Sequence, residues 1–179
     1  MSAKHTFEVP YLEAERLAAL QRYQVLDTPA EPVFDDLVFL ACTICGTPVA
    51  LLTFVDAERQ WFKARIGLDA FETPRGIAFC THAILGHELM VVTDACHDTR
   101  FRDNPLVTGA PHIRFYAGAP LRTAEDDLAL GTLCVIDRVP RVLSDAQRHA
   151  LKALSRLVVE QLETRRRKLD AQHCPGIAT

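Results

Sequence analysis

Four side chains in the middle of the chain, Cys80, His82, Cys96 and His97, carry the donor atoms that zinc and other borderline or soft metals prefer. Their spacings, C-x-H and C-H, are not those of a common structural zinc site, so the expectation is a core-facing Cys80, a surface His97 and no metal. Cys42-Thr43-Ile44-Cys45 has the C-x-x-C spacing used in thiol–disulfide exchange when a helix N-terminus stabilises the thiolate. This pair instead ends a predicted helix and continues its apolar stripe, which reads as core packing; Cys134, inside an apolar strand, reads the same way. A redox sensor or enzyme would pair Cys80 with Cys96 or Cys134 and would need an accessible thiol that titrates low.

A second group, Phe101, Asp103, Asn104, Arg114 and Tyr116, combines aromatic surface, a cation and hydrogen-bonding groups. Together with Cys80 and His82 these are the candidate ligand-binding residues. Arg114 could grip an anion with two N–H donors. The alternative is an Arg114–Asp103 ion pair that pins a loop, with Phe101 as its hydrophobic anchor. Asp94 and Asp98 suit the capping of short turns. The chain has no G-x-S-x-G, P-loop or H-E-x-x-H motif, so the expected role is non-catalytic, with no cofactor named.

The elements that must position these residues follow from periodicity. Tyr11–Val25 has the amphipathic spacing of a helix. A second helix is expected to open at Thr28-Pro29-Ala30-Glu31, with Thr28 as cap, Pro29 at its first position and Glu31 closing a capping box. Its stripe is Phe34, Leu37, Val38, Ala41, Cys42 and Cys45, and Gly46 is its stop. Residues 47–56 are apolar on both alternating faces, as in a central strand. Residues 60–67 alternate as an antiparallel partner with one wet face. Between Leu68 and Gly109 periodicity fades into irregular cover, where binding residues tend to sit. His112–Leu121 and Leu128–Ile136 form a second hairpin, the former with Ile113, Phe115, Ala117, Ala119 and Leu121 on one face. Leu143-Ser144-Asp145-Ala146-Gln147 is a capping box opening a helix to about Lys168. That helix presents Leu151, Leu154, Val158 and Leu162 as a candidate dimer stripe, beside Ala150 and Leu157. Its basic run Arg165-Arg166-Arg167-Lys168 suits a solvated helix terminus.

Composition bounds what such a chain can do. With 179 residues, 49% of them hydrophobic, it fits one α+β domain with a sizeable core. The net charge of −3 and pI near 6.1 leave no basic footprint for nucleic acid. No stretch is long and apolar enough for a signal peptide or a membrane span, so a cytoplasmic location and six free thiols are expected. The expected organisation is an N-terminal extension over 1–10, one domain over 11–168, and a tail without regular structure over 169–179.

Several ordered motifs then become specific: Arg100-Phe101-Arg102-Asp103-Asn104-Pro105-Leu106-Val107, Ile113-Arg114-Phe115-Tyr116-Ala117-Gly118-Ala119-Pro120-Leu121, and Leu130-Gly131-Thr132-Leu133-Cys134-Val135-Ile136-Asp137. Together with Phe79-Cys80-Thr81-His82-Ala83-Ile84 and the opening Glu15-Arg16-Leu17, they resemble GAF domains, notably those ahead of bacterial sensor kinases and diguanylate cyclases. The resemblance implies a PAS-related, six-stranded antiparallel sheet with terminal helices on one face and a ligand pocket under irregular cover on the other. It also implies an unidentified small-molecule ligand, a homodimer formed through the terminal helices and a signalling output partner, as in two-component systems, with neither nucleic acid nor membrane as partner. Cys80-Thr81-His82 is similar to the Cys-His pair of bilin-binding GAF photosensors, but Thr81 interrupts it. The cysteine pattern of the free methionine sulfoxide reductases built on this fold is not matched.

Overall fold

All seven residues of β1 (Val49–Val55) are buried, because hydrogen-bonded strands flank both edges and side chains cover both faces. The computed structural model describes residues 9–173. Around β1 the sheet runs β3-β2-β1-β6-β5-β4, with every neighbouring pair antiparallel. The other strands are β2 (Arg59–Ile66), β3 (Glu72–Pro74), β4 (Met90–Val92), β5 (Phe115–Arg122) and β6 (Ala129–Asp137). The three-residue strands β3 and β4 close the two edges, which limits pairing with other chains, and Pro74 is tolerated there. The periodicity had read both segments as irregular cover.

The two faces of the sheet carry separate cores. Ala50, Leu52 and Phe54 point to a layer of helices: α1 (Val9–Arg22), α2 (Pro32–Cys45) and α5 (Asp145–His173). Val49, Leu51 and Val55 point to the cover, built from a 3-10 turn at Arg75–Ile77, the short helices α3 (Phe79–Ala83) and α4 (Pro105–Thr108), and their loops. This is the expected α+β arrangement, and the two-sided reading of β1 holds residue by residue.

The expected wet face of β2 does not exist. Leu52 pairs with Ala64 while Thr53 pairs with Phe62, so Lys63 is the extra residue of a bulge. The bulge resets the alternation, so that Trp61 and Ala64 both face the helices and Phe62 faces the cover. Lys63 is itself buried, with Nζ 2.8 Å from Thr28 Oγ1, 2.6 Å from the Pro29 carbonyl and 2.7 Å from Glu31 Oε1. A second correction concerns Ile113, which precedes β5 and packs into the cover rather than beside Phe115 and Ala117.

The first two helices start and stop differently from the reading. The chain turns at Gln24, whose φ is 44°, so α1 ends at Arg22 and leaves Tyr23 and Val25 as buried plugs behind it. Thr28 does not cap α2; its hydroxyl donates to the Val25 carbonyl. The helix begins one proline later, at Pro32 after Glu31, because Pro32 equally suits a first helical position. Its C-terminus ends as expected, with Gly46 left-handed at φ 63° and its N–H returned to the last turn.

For α5 the capping box is present in both directions: Gln147 N–H donates to Ser144 Oγ at 3.2 Å, and Ser144 N–H to Gln147 Oε1 at 3.0 Å. The helix continues to His173, beyond the expected Lys168, so residues 169–173 of the expected tail are helical. The basic run is therefore not a terminus. Arg165 donates to the Tyr23 and Gln24 carbonyls and to Glu31, and Arg166 forks onto Glu125, so these charges tie α5 to the rest of the fold. The candidate dimer stripe is also used within the chain. Leu151, Leu154, Val158 and Leu162 are all buried against the sheet and α2, since α5 is a covering helix, and only Leu157 stays 44% exposed.

Candidate functional site

Between the cover and the sheet lies a cavity of about 290 Å³. Its floor comes from the cover-facing residues of four strands, including Leu51, Phe62, Tyr116 and Ile136; its roof comes from residues such as Ala78, Phe79, Cys80 and Leu106. The walls are almost wholly apolar, the character of sites that bury most of a small ligand. The sequence places these side chains by the two-residue period of β1, β5 and β6, which delivers every second residue to the cover.

Two polar atoms break the apolar wall. Gln60 on β2 and Thr73 on β3 stand directly opposite each other in the strand register and both line the cavity. Gln60 is 5% exposed, and neither its Oε1 nor Thr73 Oγ1 has a hydrogen-bond partner. A buried polar atom without a partner costs about 1–3 kcal/mol, so the pair favours an occupant that hydrogen-bonds to it. Neither residue was singled out from the sequence. The available signal was Gln60 two places before Phe62 on one strand face.

Of the residues expected at the site, Cys80 and Tyr116 line the cavity together, with the Tyr116 hydroxyl 3.2 Å from Cys80 Sγ. The others do not line it. Phe101 is fully buried behind Phe79, stacked at 4.0 Å between ring centroids, and His82 meets the Phe101 edge at 4.8 Å. Burial and the nearby Arg100 charge lower the His82 pKa. Asn104 caps α4 by accepting from the Leu106 N–H and donates to the Ile77 carbonyl, a role in holding the cover together. Asp103 is exposed and pairs with Arg102, while Arg114 donates to the carbonyls of Val107 and Ile113. The alternative Arg114–Asp103 pair is not formed: Asp103 pairs with Arg102, and Arg114 Nη1 is held by the two backbone carbonyls.

The remaining candidates fall into separate places. Asp94 and Asp98 cap turns by accepting from the Cys96 and Arg100 N–H groups, as their spacing suggested. Cys96 and His97 sit exposed in the first of those turns. Among the described residues, no three Cys, His, Asp or Glu side chains gather in a metal-binding arrangement. Cys45 is core, with its thiol pushed up to about 11 by burial, and Cys42 donates to the Thr47 carbonyl. A larger hollow of about 610 Å³ beside Asp56 and Glu72 is open to solvent. Its Arg59 is already paired with Asp27, Asp56 and Glu72, so the apolar cavity between cover and sheet is the better candidate.

Comparison with known proteins matches residues 11–162 to the family model described as GAF domain. The cyclic di-GMP phosphodiesterase PA2567 of Pseudomonas aeruginosa is 48% identical over 160 residues; the match takes in 88% of this chain and 27% of that protein. This chain thus spans about a quarter of that relative's length. Among solved structures, the GAF domain of a phosphoenolpyruvate-protein phosphotransferase from Coxiella burnetii aligns with a TM-score of 0.64 at 15% identity, over 88% of this chain and 96% of that one. Free methionine-R-sulfoxide reductase from Neisseria meningitidis, solved with its substrate, aligns with a TM-score of 0.61 at 17% identity, over 94% and 99%. At these identities the two structures establish a shared fold.

Proposed function

This chain belongs to the GAF domain family, and we propose that it is a non-catalytic sensing module whose cavity takes a small, uncharged, largely apolar molecule bearing a hydrogen-bond donor. The unpartnered Gln60 Oε1 and Thr73 Oγ1, side by side in an otherwise apolar wall, carry this reading. The donor would meet Gln60 Oε1, and Thr73 can donate or accept. Among the described residues no lysine or arginine lines the cavity, which argues against phosphate-bearing ligands, the cyclic dinucleotide named for the Pseudomonas relative among them. A role in regulating such an activity, by contact with a separate or attached output domain, fits a sensor that is not itself a catalyst.

Occupancy has a route to the helices, because β5 and β6 carry cavity residues on one face and support α5 on the other. A ligand moves that layer only as far as it binds one arrangement better than another. We place the dimer contact of the sensor on the outer side of the helix layer, where Val33, Leu40 and Ile44 of α2 form an exposed stripe at seven- and four-residue spacing.

Native mass spectrometry of freshly purified chain, followed by thermal melts with benzamide and benzyl alcohol as probes, tests the cavity. The expected result is a retained small molecule or a saturable rise in Tm. Gln60→Leu should weaken benzamide by roughly ten-fold to a hundred-fold through loss of one buried hydrogen bond. A chain that retains nothing and melts unchanged with both probes would instead be a structural module with an occluded pocket.

A further inference from the structure

Where the cavity meets β6, one sulfur collects an unusual set of neighbours. Cys80 Sγ lies 3.2 Å from the Tyr116 hydroxyl, 3.0 Å from Thr132 Oγ1 and 3.9 Å from Cys134 Sγ. All four residues are buried, at 1% exposure or less. A neutral thiol is a weak acceptor, so hydroxyls converging on one sulfur suit a thiolate far better than a thiol. Thr53 backs the network by hydrogen-bonding to Thr132. Tyr116 can reach Cys80 because Gly118, two residues along β5, has no side chain: a Cβ there would collide with the Tyr116 phenol. Gly118 also stands opposite Cys134 in the register, so the same gap seats the phenol beside both sulfurs.

We propose that Cys80 and Cys134 are an oxidisable dithiol, which organic hydroperoxides small enough for the cavity convert to a disulfide linking the cover to the sheet. The chemistry rests on the reading above that the cavity admits small apolar molecules. The Cys80 thiolate attacks the terminal oxygen of R–O–OH, the O–O bond breaks, and Cys80 becomes a sulfenic acid. The alkoxide leaves as the alcohol ROH, taking up the proton that Cys80 had released. The Cys134 sulfur then attacks the Cys80 sulfur, the S–O bond breaks, and hydroxide departs with the Cys134 proton as water. The dithiol gives two electrons and the hydroperoxide accepts them, so the sum is one disulfide, one alcohol and one water.

The geometry needs a modest closure. The sulfurs must approach from 3.9 Å to about 2.05 Å, which side-chain rotation of two facing cysteines can largely supply. Cys80 sits on α3 in the cover and Cys134 on β6, so the bond would fix the roof of the cavity to its floor. Burial alone would raise the Cys80 pKa, but hydrogen bonds from Cys134, Thr132 and Tyr116 outweigh it and hold the thiol below its ordinary value, whereas Cys134 and Tyr116 are pushed up. That ordering gives one nucleophile and one resolving thiol. Cys96, the exposed cysteine among the described residues, has no such neighbours and serves as an internal control.

The full chain is treated with tert-butyl hydroperoxide and, separately, with hydrogen peroxide, then denatured without reductant and mapped by mass spectrometry. The expected product has lost two hydrogens and carries a Cys80–Cys134 cross-linked peptide, formed faster with the organic peroxide. Cys134→Ser should stop at a Cys80 sulfenic acid that dimedone traps, and Tyr116→Phe should slow the first step and raise its apparent pKa. Free thiols at Cys80 and Cys134 while Cys96 is already oxidised would overturn the proposal, as would hydrogen peroxide outpacing the organic peroxide. Benzamide binding is measured in parallel. A chain that binds benzamide yet keeps both thiols loses the dithiol and retains the cavity; one that cross-links yet binds and retains no small molecule loses the cavity reading instead.

Discussion

Lys63 brings a full charge into the protein interior, and its surroundings explain how. As the extra residue of the β2 bulge it points to the turn before α2, where a hydroxyl, a carbonyl and the Glu31 carboxylate surround Nζ. Glu31 is shared with Arg165 of α5, so this group of charges joins a strand, a turn and the last helix. Removing one partner of a buried ion pair usually costs about 3–5 kcal/mol, because the groups left behind lose their compensation. Since Glu31 is 36% exposed and keeps Arg165, Lys63→Ala is expected below that range, at about 1–3 kcal/mol, read as a fall in the urea midpoint with an unchanged slope. A loss below about 1 kcal/mol would mean that water replaces the ammonium and that the burial is incidental. The sequence showed Lys63 only as a charged residue in an alternating strand. Its burial depends on a one-residue offset between β1 and β2 that no periodicity within β2 contains.

At the level of elements, helix α5 shows which local signals hold. Ser144 and Gln147 satisfy each other's backbone N–H groups, and the same Gln147 donates to the carbonyls of Ile44 and Cys45 at the end of α2. Ser144→Ala should cost about 1 kcal/mol, the usual worth of an N-cap. Gln147→Ala should cost more, because it also frees the end of α2; thermal melts of the two variants give the comparison. Equal losses would show that the α2 contact adds nothing. The α2 start was misplaced for a related reason: Pro29 and Pro32 both suit a first helical turn, and the choice falls to Pro32 because Thr28 and the Pro29 carbonyl are engaged by Lys63. Local sequence offered two starts, and a strand distant in sequence selected one.

For the whole molecule, the question is what the helix layer presents outward once its own core is filled. Helices α2 and α5 run antiparallel, with Arg165 meeting Glu31 at one end and Gln147 reaching Ile44 at the other, and Leu157 lies between these contacts along α5. Leu157 of α5 and Val33, Leu40 and Ile44 of α2 leave apolar surface exposed on this pair of helices. If that surface joins two copies, Leu40→Asp with Ile44→Asp should weaken the dimer by at least about a hundred-fold in sedimentation equilibrium while leaving the melt nearly unchanged. A wild-type chain that stays monomeric at about 100 μM would remove the dimer from the account. Leu151→Asp, by contrast, should unfold the chain, because that residue is core. The sequence by itself determined the α+β class, the two-sided central strand, the α2 stripe and the capping box of α5, since each depends on residues within one turn or one strand of each other. Motif resemblance added the family. Only the tertiary structure decided that the Leu151–Leu162 stripe faces inward, that Gln60 and Thr73 stand side by side without partners, and that Cys80 meets Cys134. Those outcomes depend on register and on which face a neighbouring element covers, and both are fixed between segments far apart in the chain.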